Sequence, residues 1–216
     1  SGAGRTCAVL DDGTVQCWPS WTYSPSVVPT ISSAIDVVGG NSHYCAVLDD
    51  STVKCWGSNY AGQLGNGSNT DSATPVSVSG LTNVVSLAAG NSHTCALLND
   101  ASVKCWGTNS AGQLLDQNVT MINTPILVSG LTNAVGISAG NGHTCALLND
   151  GKVKCWGNNS SGQLGDQTAA YKSIPYLVSG VNNILSITRG SRHTCILLSD
   201  ATVKCWDGNG GYLGNG

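Results

Sequence analysis

Apolar and polar positions follow a pattern that returns every 50 residues along most of the chain. In one unit, residues 84–90, 94–98 and 102–106 are predicted to be strands, and a fourth strand is expected over 124–130. The second of these is apolar on both faces, which is typical of a strand covered from both sides. No segment keeps an apolar period of 3.6 residues, so we expect almost no helix. Four short strands per unit with glycine-rich connections predict an all-β propeller, one unit to a blade.

A cysteine-bracketed phrase marks each unit, and it occurs five times, as TCAVLDDGTVQCW, YCAVLDDSTVKCW, TCALLNDASVKCW, TCALLNDGKVKCW and TCILLSDATVKCW. Its central Asp-Asp-Gly or Asn-Asp-Ala predicts a tight hairpin with one residue near left-handed geometry. Folded about Asp100, the hairpin brings Cys95 directly opposite Cys105, at a spacing that suits a disulfide. Zinc ligation is disfavoured, because zinc sites prefer closer cysteine pairs, while free core thiols stay a minor alternative. We therefore predict five disulfides: Cys7–Cys17, Cys45–Cys55, Cys95–Cys105, Cys145–Cys155 and Cys195–Cys205.

The chain is interpreted as one repeat domain over 1–216, with units that start near Cys7, Cys45, Cys95, Cys145 and Cys195. The second and third strands are expected five times each, but the first and the fourth only four times each. We thus expect about five blades, three complete and the first and last incomplete. The missing strands could come from a longer polypeptide that forms a ring of up to seven blades, or from a neighbouring subunit.

The ten cysteines also indicate a compartment, because dense cystine is typical of extracellular and cell-surface proteins. Only 10% of the residues are charged, and glutamate is absent. Glycans would help such a chain to stay in solution, and four glycosylation sequons are present, at Asn66, Asn118, Asn158 and Asn159. No apolar stretch approaches the length of about 18 residues that a membrane span needs.

Charge and motif content argue against several functions. The net charge is −3 and no basic cluster occurs, so a nucleic-acid partner is not expected. No serine nucleophile elbow and no paired-carboxylate arrangement is visible, so we expect no catalytic residues and no cofactor. One histidine recurs in each of the last four units, at His43, His93, His143 and His193. Such positions should lie too far apart to share a metal ion, so we predict no metal and assign these rings to capping turns through backbone hydrogen bonds.

Aromatic residues divide into two groups. A tryptophan follows the second cysteine of every phrase and is expected to pack between blades; these are Trp18, Trp56, Trp106, Trp156 and Trp206. Trp21 and Tyr23 lie instead in a Pro- and Ser-rich segment outside the repeat pattern. Exposed aromatic residues beside small polar ones are common at sugar- and protein-binding surfaces. These two are therefore candidate binding residues.

Residues 90–114, Gly-Asn-Ser-His-Thr-Cys-Ala-Leu-Leu-Asn-Asp and then Val-Lys-Cys-Trp-Gly-Thr-Asn-Ser-Ala-Gly-Gln-Leu, resemble the repeat of the regulator of chromosome condensation superfamily. The likeness covers essentially the whole chain and weakens over 19–30 and 206–214. It implies a β-propeller, most often of seven blades. It does not carry over the family's nuclear exchange-factor activity, because no counterpart of its protruding wedge is visible. The cystine-bearing form resembles secreted and surface propellers, whose roles include binding, adhesion and enzyme inhibition.

Two functions remain in view. The first is a structural or adhesive surface protein, disulfide-stapled and glycosylated, that could polymerise through unpaired blade edges. The second is a secreted ligand-binding propeller, lectin-like or inhibitory, that uses the loops of one face. In both cases the expected partner is a protein or a glycan at the cell surface. The loop tips over 58–74, 108–124 and 158–174 differ in sequence, which disfavours a lectin with one equivalent site on each blade.

Overall fold

The computed structural model describes residues 5–19, 24–114 and 119–206, which form eighteen strands in five antiparallel sheets. Blade one holds β1 (Arg5–Val9), β2 (Val15–Pro19) and β3 (Ser26–Val27). Blade two holds β4 (Ala34–Gly39), β5 (His43–Leu48), β6 (Val53–Gly57) and β7 (Ser72–Ser77). Blade three holds β8 (Val84–Ala89), β9 (His93–Leu98), β10 (Val103–Thr108) and β11 (Met121–Leu127). Blade four holds β12 (Ala134–Ala139), β13 (His143–Leu148), β14 (Val153–Gly157) and β15 (Lys172–Leu177). Blade five holds β16 (Ile184–Arg189), β17 (Thr194–Leu198) and β18 (Val203–Trp206).

Each blade is a meander whose strands pair in chain order. The first strands of blades two to five, which are β4, β8, β12 and β16, together line a central cavity. Blades two, three and four have four strands, whereas blade one begins with the second strand of the pattern and blade five is described up to the third. The prediction of three complete blades is thus confirmed, and the structure describes three strands in each of the other two blades. No helix occurs among the described residues, and so none that could cross a membrane.

The central hairpin has the predicted register. Cys95 pairs with Cys105 and Leu97 with Val103 across β9 and β10. The turn contains a residue with positive φ, which is Ala101 at 64° in blade three and Gly151 at 73° in blade four. Only glycine adopts this conformation without steric cost, so the chain accepts local strain at Ala101 to keep the hairpin tight.

The fourth strand differs from the prediction at its start. In blade three it begins at Met121 rather than Thr124, so Pro125 lies inside β11 and not at its first residue. The register between β10 and β11 shifts there, because Cys105 faces Ile126 while Gly107 faces Ile122. Proline lacks an N–H donor and is tolerated at such an irregularity of an outer strand.

The hydrophobic cores lie between blades. One core combines Val47 and Cys55 of blade two with Leu98 and Trp106 of blade three. The next core repeats this arrangement between blades three and four, and another does so between blades four and five. Each sheet therefore buries both of its faces only when it has a blade on either side, which explains the apolar residues on both faces of the second strand.

Candidate functional site at the blade interfaces

A disulfide in every blade joins the second and third strands of the repeat pattern. The paired Cα atoms lie 4.0–4.1 Å apart, and no free cysteine remains. The bridges follow the predicted pairing, Cys7–Cys17, Cys45–Cys55, Cys95–Cys105, Cys145–Cys155 and Cys195–Cys205. The six cysteines of blades two to four are at most 1% exposed. The cystines therefore belong to the interblade cores, where water and reductants have little access.

A histidine of one blade hydrogen-bonds a threonine of the next. The Nε2 atom of His43 lies 2.9 Å from Oγ1 of Thr94, and both residues are fully buried. The hydroxyl of Thr94 donates its proton to the carbonyl oxygen of Gln63 at 3.0 Å, so it accepts a bond from the imidazole. His43 must therefore be the neutral tautomer with its proton on Nε2. The same bond joins His93 to Thr144 at 2.9 Å.

The carbonyl oxygen of Gln63 accepts a second bond, from the indole N–H of Trp106 at 2.9 Å. These bonds join His43 and Gln63 of blade two to two residues of blade three, Thr94 and Trp106. We call this set of four residues the interblade relay. It recurs between blades four and five, where Gln163 O accepts from Thr194 and Trp206 at 3.0 and 2.9 Å.

Burial keeps the relay histidines uncharged. Desolvation lowers the pKa of His43 to about 4 and that of His143 to about 4. His93 is lowered further, to a pKa of about 3, because the neighbouring imidazoles and Arg189 add positive charge to the effect of burial. The Nδ1 atoms of the three rings are buried without a hydrogen-bond partner. These groups suit a fixed scaffold, because their pKa values lie well below neutral pH and the rings do not change protonation state there.

The expected backbone caps are therefore wrong for these histidines. They bond a threonine hydroxyl on the next blade, and they pack closely against glycine. A Cβ added at Gly40 would lie 2.3 Å from the His43 ring and 2.4 Å from the carbonyl oxygen of Gly90. Within residues 5–19, 24–114 and 119–206, no three His, Cys, Asp or Glu side chains lie close enough to hold a metal ion.

A buried asparagine organises each long loop, which sequence reasoning missed. Asn59 is fully buried; its side-chain N–H groups reach the carbonyls of Ser68 and Thr70, and its Oδ1 accepts from the N–H of Leu64. Asn159 repeats these contacts in blade four. An asparagine at this position of blades two, three and four was a signal in the sequence, but a polar residue in a glycine-rich loop does not by itself indicate burial.

The prediction of Asn159 as a glycan acceptor is wrong for the folded chain. Its side chain is 0% exposed, and Nδ2 donates to Asp166, Thr168 and the carbonyl of Ala170. No space is left for a sugar on that nitrogen. Asn158 is half-buried, and its Oδ1 accepts from the N–H of Ser160.

The other candidate positions are less occupied or lie outside the described residues. Asn66 is half-buried, and its Oδ1 accepts bonds from Asn59 and Ser68. This leaves its Nδ2, the atom that carries an N-linked glycan, without a described bond. Asn118 lies outside the described residues, and so do Trp21 and Tyr23.

The four inner strands surround a cavity of about 400 Å³. Its described lining is mostly apolar or small, and Arg189 is the one charged residue in that lining. The Arg189 guanidinium donates across the cavity to the carbonyl oxygen of Ala89, and burial lowers its pKa below the usual range. A desolvated guanidinium is a potential anchor for a carboxylate or another anion.

The five successive blade-like sheets, four of which line a common cavity, define the described part of the chain as a β-propeller. The profile described as "Regulator of chromosome condensation (RCC1) repeat" matches residues 51–97, 100–147 and 150–197. A second profile with that description matches residues 34–63, 84–113 and 134–163. The chain belongs to the family of regulator of chromosome condensation repeat proteins, as its motifs predicted.

Solved structures agree on the fold. The chain is similar to yeast RCC1 (Prp20) in its complex with Kap60, with a TM-score of 0.83 and 22% identity over 94% of this chain and 54% of that one. For human WBSCR16 the TM-score is 0.85, with 18% identity over 95% and 60%. For the ectodomain of the Physcomitrella patens receptor kinase CR4 the TM-score is 0.61, with 22% identity over 96% of this chain and 51% of that one.

The chain thus spans about half to three-fifths of the length of these three solved structures. At such identities the comparisons show the fold alone. No curated protein matches the chain in sequence.

Proposed function

We propose that this chain is a non-catalytic binding propeller of the extracellular space or the cell surface, with a structural or adhesive role. The observation that carries the proposal is the set of five buried or half-buried hairpin cystines, one on each blade. Cystines of this density persist in oxidising compartments and are rare in the cytosol. Each closes a short loop and contributes roughly 3 kcal/mol in the chain-entropy model, which favours a scaffold that resists unfolding outside the cell.

The chemistry of the interfaces supports a scaffold rather than an enzyme. The histidines that could act as acids or bases are neutral and enclosed between blades. Relatives of this fold include both an intracellular protein, described with binding properties to Gsp1p and histones, and a receptor-kinase ectodomain. The first description concerns binding, and the second concerns the outer domain of a receptor kinase. We carry over only the coarse role, which is binding through a propeller surface.

The compartment is tested by thiol chemistry on native material. We expect no cysteine to react with an alkylating reagent before reduction, and a non-reducing peptide map with bridges only within repeats. Surface biotinylation of intact cells should label the protein. Native material with alkylatable thiols would contradict an extracellular role, and so would absence of the protein from both the surface-labelled fraction and the medium.

Glycosylation is part of the proposal and has its own measurement. Asn66 and Asn158 are the better placed of the described acceptors, because the Oδ1 of each accepts hydrogen bonds while its Nδ2 has no described bond. Enzymatic deglycosylation should lower the mass of the native protein, and Asn66→Gln should remove part of that difference. Asn159→Gln should leave the glycan mass unchanged. A mass unaffected by deglycosylation would remove the glycoprotein claim.

A ligand-binding role is the second candidate, and the central cavity favours it. Arg189 offers a half-buried cation in a cavity of about 400 Å³ whose accessible wall is mainly polar. A small organic carboxylate would suit both features. Thermal shift measurements with a panel of carboxylates and their neutral amides test this role. Stabilisation by the acids alone, lost in Arg189→Gln and kept in the exposed control Arg192→Gln, would support it; equal shifts in all three proteins would exclude it.

A further inference from the structure

Four aliphatic side chains are exposed at one end of the central cavity. They stand at the second residue of the first strand in four successive blades and are 55–61% exposed: Ile35, Val85, Val135 and Leu185. The same strands line the cavity from two or three residues further on, and neighbouring first strands contact each other. The four side chains therefore lie around the cavity mouth. We call this end of the propeller the hairpin face, because it carries the turns between second and third strands, at residues 11–13, 49–51, 99–101, 149–151 and 199–201.

A β-bulge sets each of these side chains apart from its blade. In blade three, the paired residues Val84 and Ser86 face successive residues of the second strand. Val85 between them is therefore an extra residue with no partner there. The same shift occurs in blades two, four and five. Bulges re-aim side chains and are over-represented next to functional sites.

The exposure of these residues does not depend on an absent strand or blade. Blades three and four have four strands each and a described blade on either side, yet Val85 and Val135 are as exposed as Ile35 and Leu185. Exposed aliphatic residues that stand singly are ordinary on a protein surface, whereas adjacent ones that form a patch mark interaction sites. The cavity mouth of the hairpin face is such a patch.

Acidic residues concentrate on the side of the hairpin face that belongs to blades one and two. The turn of blade one is joined to β4, because the N–H of Ala34 donates to the carbonyl of Gly13 at 2.9 Å. The turn of blade two is joined to the same segment by the N–H of Asp49, which donates to the carbonyl of Ser33 at 2.8 Å. These contacts bring exposed aspartates to the surroundings of Ile35: Asp11, Asp12, Asp36, Asp49 and Asp50.

Cations do not balance this acidic side. Blade one has Gln16 where every later blade has a lysine, and blade two has Lys54 alone. Five aspartates against one lysine give blades one and two a formal charge of −4 on the hairpin face. In blades three to five, three aspartates against four lysines give +1. The aliphatic patch is therefore bordered by strong negative charge on one side only.

We propose that the hairpin face binds a separate partner protein through a segment that joins aliphatic residues to a cluster of lysine and arginine. The aliphatic residues cover Ile35 and Val85 at the cavity mouth, and the basic cluster pairs with the aspartates of blades one and two. An apolar centre with a charged rim is the usual anatomy of a protein interface. This inference rests on the proposed binding function and names the chemistry of the partner.

The charge pattern favours a basic partner over a second copy of the chain. The hairpin face of a second copy offers at most the +1 of blades three to five to the −4 of blades one and two. The net charge of −3 on each copy adds repulsion between them. A basic segment meets no such repulsion, and complementary charge also speeds its association.

The probe is a synthetic peptide that has both features, Leu-Val-Leu-Gly-Lys-Arg-Lys-Arg. Calorimetry at low salt measures its binding to the whole chain, beside two matched peptides. One replaces the four basic residues by glutamate, and the other replaces the three aliphatic residues by serine. We expect saturable binding of the first peptide, and binding at least roughly tenfold weaker for each of the others. Absence of binding by the first peptide, or equal binding by the serine peptide, would overturn the proposal.

A pair of substitutions locates the apolar contact. Ile35→Ser combined with Val85→Ser should weaken binding of the first peptide at least roughly tenfold. The control combines Val27→Ser with Ile174→Ser, which are equally exposed residues on the outer strands β3 and β15. It should bind as the unsubstituted chain does. All four side chains are exposed, so thermal unfolding should be unchanged in both variants. Equal binding by the two variants would contradict the site.

A second pair of substitutions locates the charged contact. Asp11→Asn combined with Asp49→Asn removes two carboxylates to which no hydrogen bond occurs among the described residues. It should weaken binding roughly three- to tenfold at low salt, and less at high salt. Asp150→Asn combined with Asp200→Asn changes the net charge by the same amount on the far side of the hairpin face, and should leave binding nearly unchanged. Equal losses in both variants would mean that the peptide senses only the net charge, which would sink the proposal.

Two further measurements decide what occupies the face. Light scattering should show a monomer at all concentrations; dimers that Ile35→Ser with Val85→Ser abolishes would overturn the separate partner and assign the face to a second copy. Peptide binding by this chain but not by the native polypeptide isolated from its source would assign the face to another segment of that polypeptide. None of these results depends on the cystine and surface-labelling measurements, so failure here is distinguishable from failure of the proposed function.

Discussion

The interface between blades one and two and the interface between blades two and three join equivalent strands through different residues. Between blades two and three, the relay joins His43 to Thr94 and Gln63 to Trp106 through hydrogen bonds of about 2.9–3.0 Å. Between blades one and two, Arg5 stands in the place of the histidine. A hydrogen-bonded relay of this form is therefore not available to the first interface.

An aromatic pair takes over at the first interface. Tyr44 stands where the relay has its threonine, and its ring stacks on Trp56 with centroids 5.9 Å apart and an interplanar angle of 22°. Its hydroxyl donates weakly to the carbonyl of Arg5 at 3.5 Å. Stacked aromatic rings stabilise an interface by burying apolar surface and by dispersion, and this does not require a hydrogen-bond partner at a fixed position. The comparison teaches that the repeat requires a filled interface but not one particular set of polar contacts, and the measurements below probe that difference.

Acid should weaken the relay interfaces and spare the aromatic one. The folded pKa of His43, His93 and His143 lies at about 3–4, below the ordinary value of 6.5. The unfolded chain thus binds more protons between pH 6.5 and 4, so the stabilisation is complete above pH 6.5 and is lost as the pH falls. Each pH unit costs roughly 1.4 kcal/mol for each histidine. Urea unfolding from pH 7 to 4.5 should show a steadily falling midpoint.

The acidic hairpin residues provide a check on this assignment. Hydrogen bonds from Thr52 and Ser102 lower the pKa of Asp50 and Asp100 below 3.8. Their contribution is lost only as the pH falls below about 4, because above it these carboxyls are charged in both the folded and the unfolded chain. A midpoint that stays level from pH 7 to 5 and then drops would assign the acid sensitivity to carboxylates and contradict the histidine account.

Removing one hydroxyl should break the relay at a single interface. Thr94→Val keeps the shape of the side chain but removes its hydroxyl. The Nε2–H of His43 and the carbonyl of Gln63 then lose one hydrogen bond each. We expect a loss of about 2–3 kcal/mol in the free energy of unfolding, measured with urea. Thr6→Val changes the equivalent, exposed position of blade one and should alter stability by less than about 0.5 kcal/mol. Similar losses in both variants would show that the hydroxyl does not act through the relay.

The hairpins could be predicted from the sequence, whereas the relay could not. Cys95 and Cys105 lie ten residues apart in one hairpin, so local geometry decides their pairing. His43 and Thr94 lie 51 residues apart, and Gln63 and Trp106 lie 43 apart. Their contact depends on the angle and spacing between whole blades, which alternating polarity does not encode.

The loop residues illustrate the same limit. Asn159 matches a glycosylation sequon, yet it is a buried centre of its loop with the N–H of Leu164 on its Oδ1. A sequon is a short local pattern, and burial is a property of the whole loop. The interblade position of the tryptophans, in contrast, could be predicted, because a large apolar residue beside a cystine has few other places to go.

Tryptophan substitutions should show a smaller difference between the two interfaces in the free energy of unfolding. Trp106→Phe removes the N–H that bonds the carbonyl of Gln63, whereas no bond of the Trp56 indole N–H occurs among the described residues. Both changes remove a similar ring volume, so the cavity terms should largely cancel. We expect Trp106→Phe to cost about 1 kcal/mol more than Trp56→Phe in urea unfolding. An equal or larger loss from Trp56→Phe would mean that the stack with Tyr44 is the more demanding contact.

Substitutions in the hairpin turns should change stability least. They also test whether the interface between blades one and two is more tightly packed than the later interfaces. Ala101 has a φ of 64°, so Ala101→Gly relieves local strain but adds freedom to the unfolded chain, for a net gain of about 0.5 kcal/mol. Gly151→Ala should cost about the same amount, since the new Cβ would lie 3.3 Å from Cα of Asn183. Gly13→Ala should cost clearly more, because its Cβ would lie 2.6 Å from the backbone oxygen of Ser32. Thermal unfolding of the three variants ranks these effects. If Gly13→Ala and Gly151→Ala prove equal, blade one has room to move against blade two, and the aromatic interface is the looser of the two.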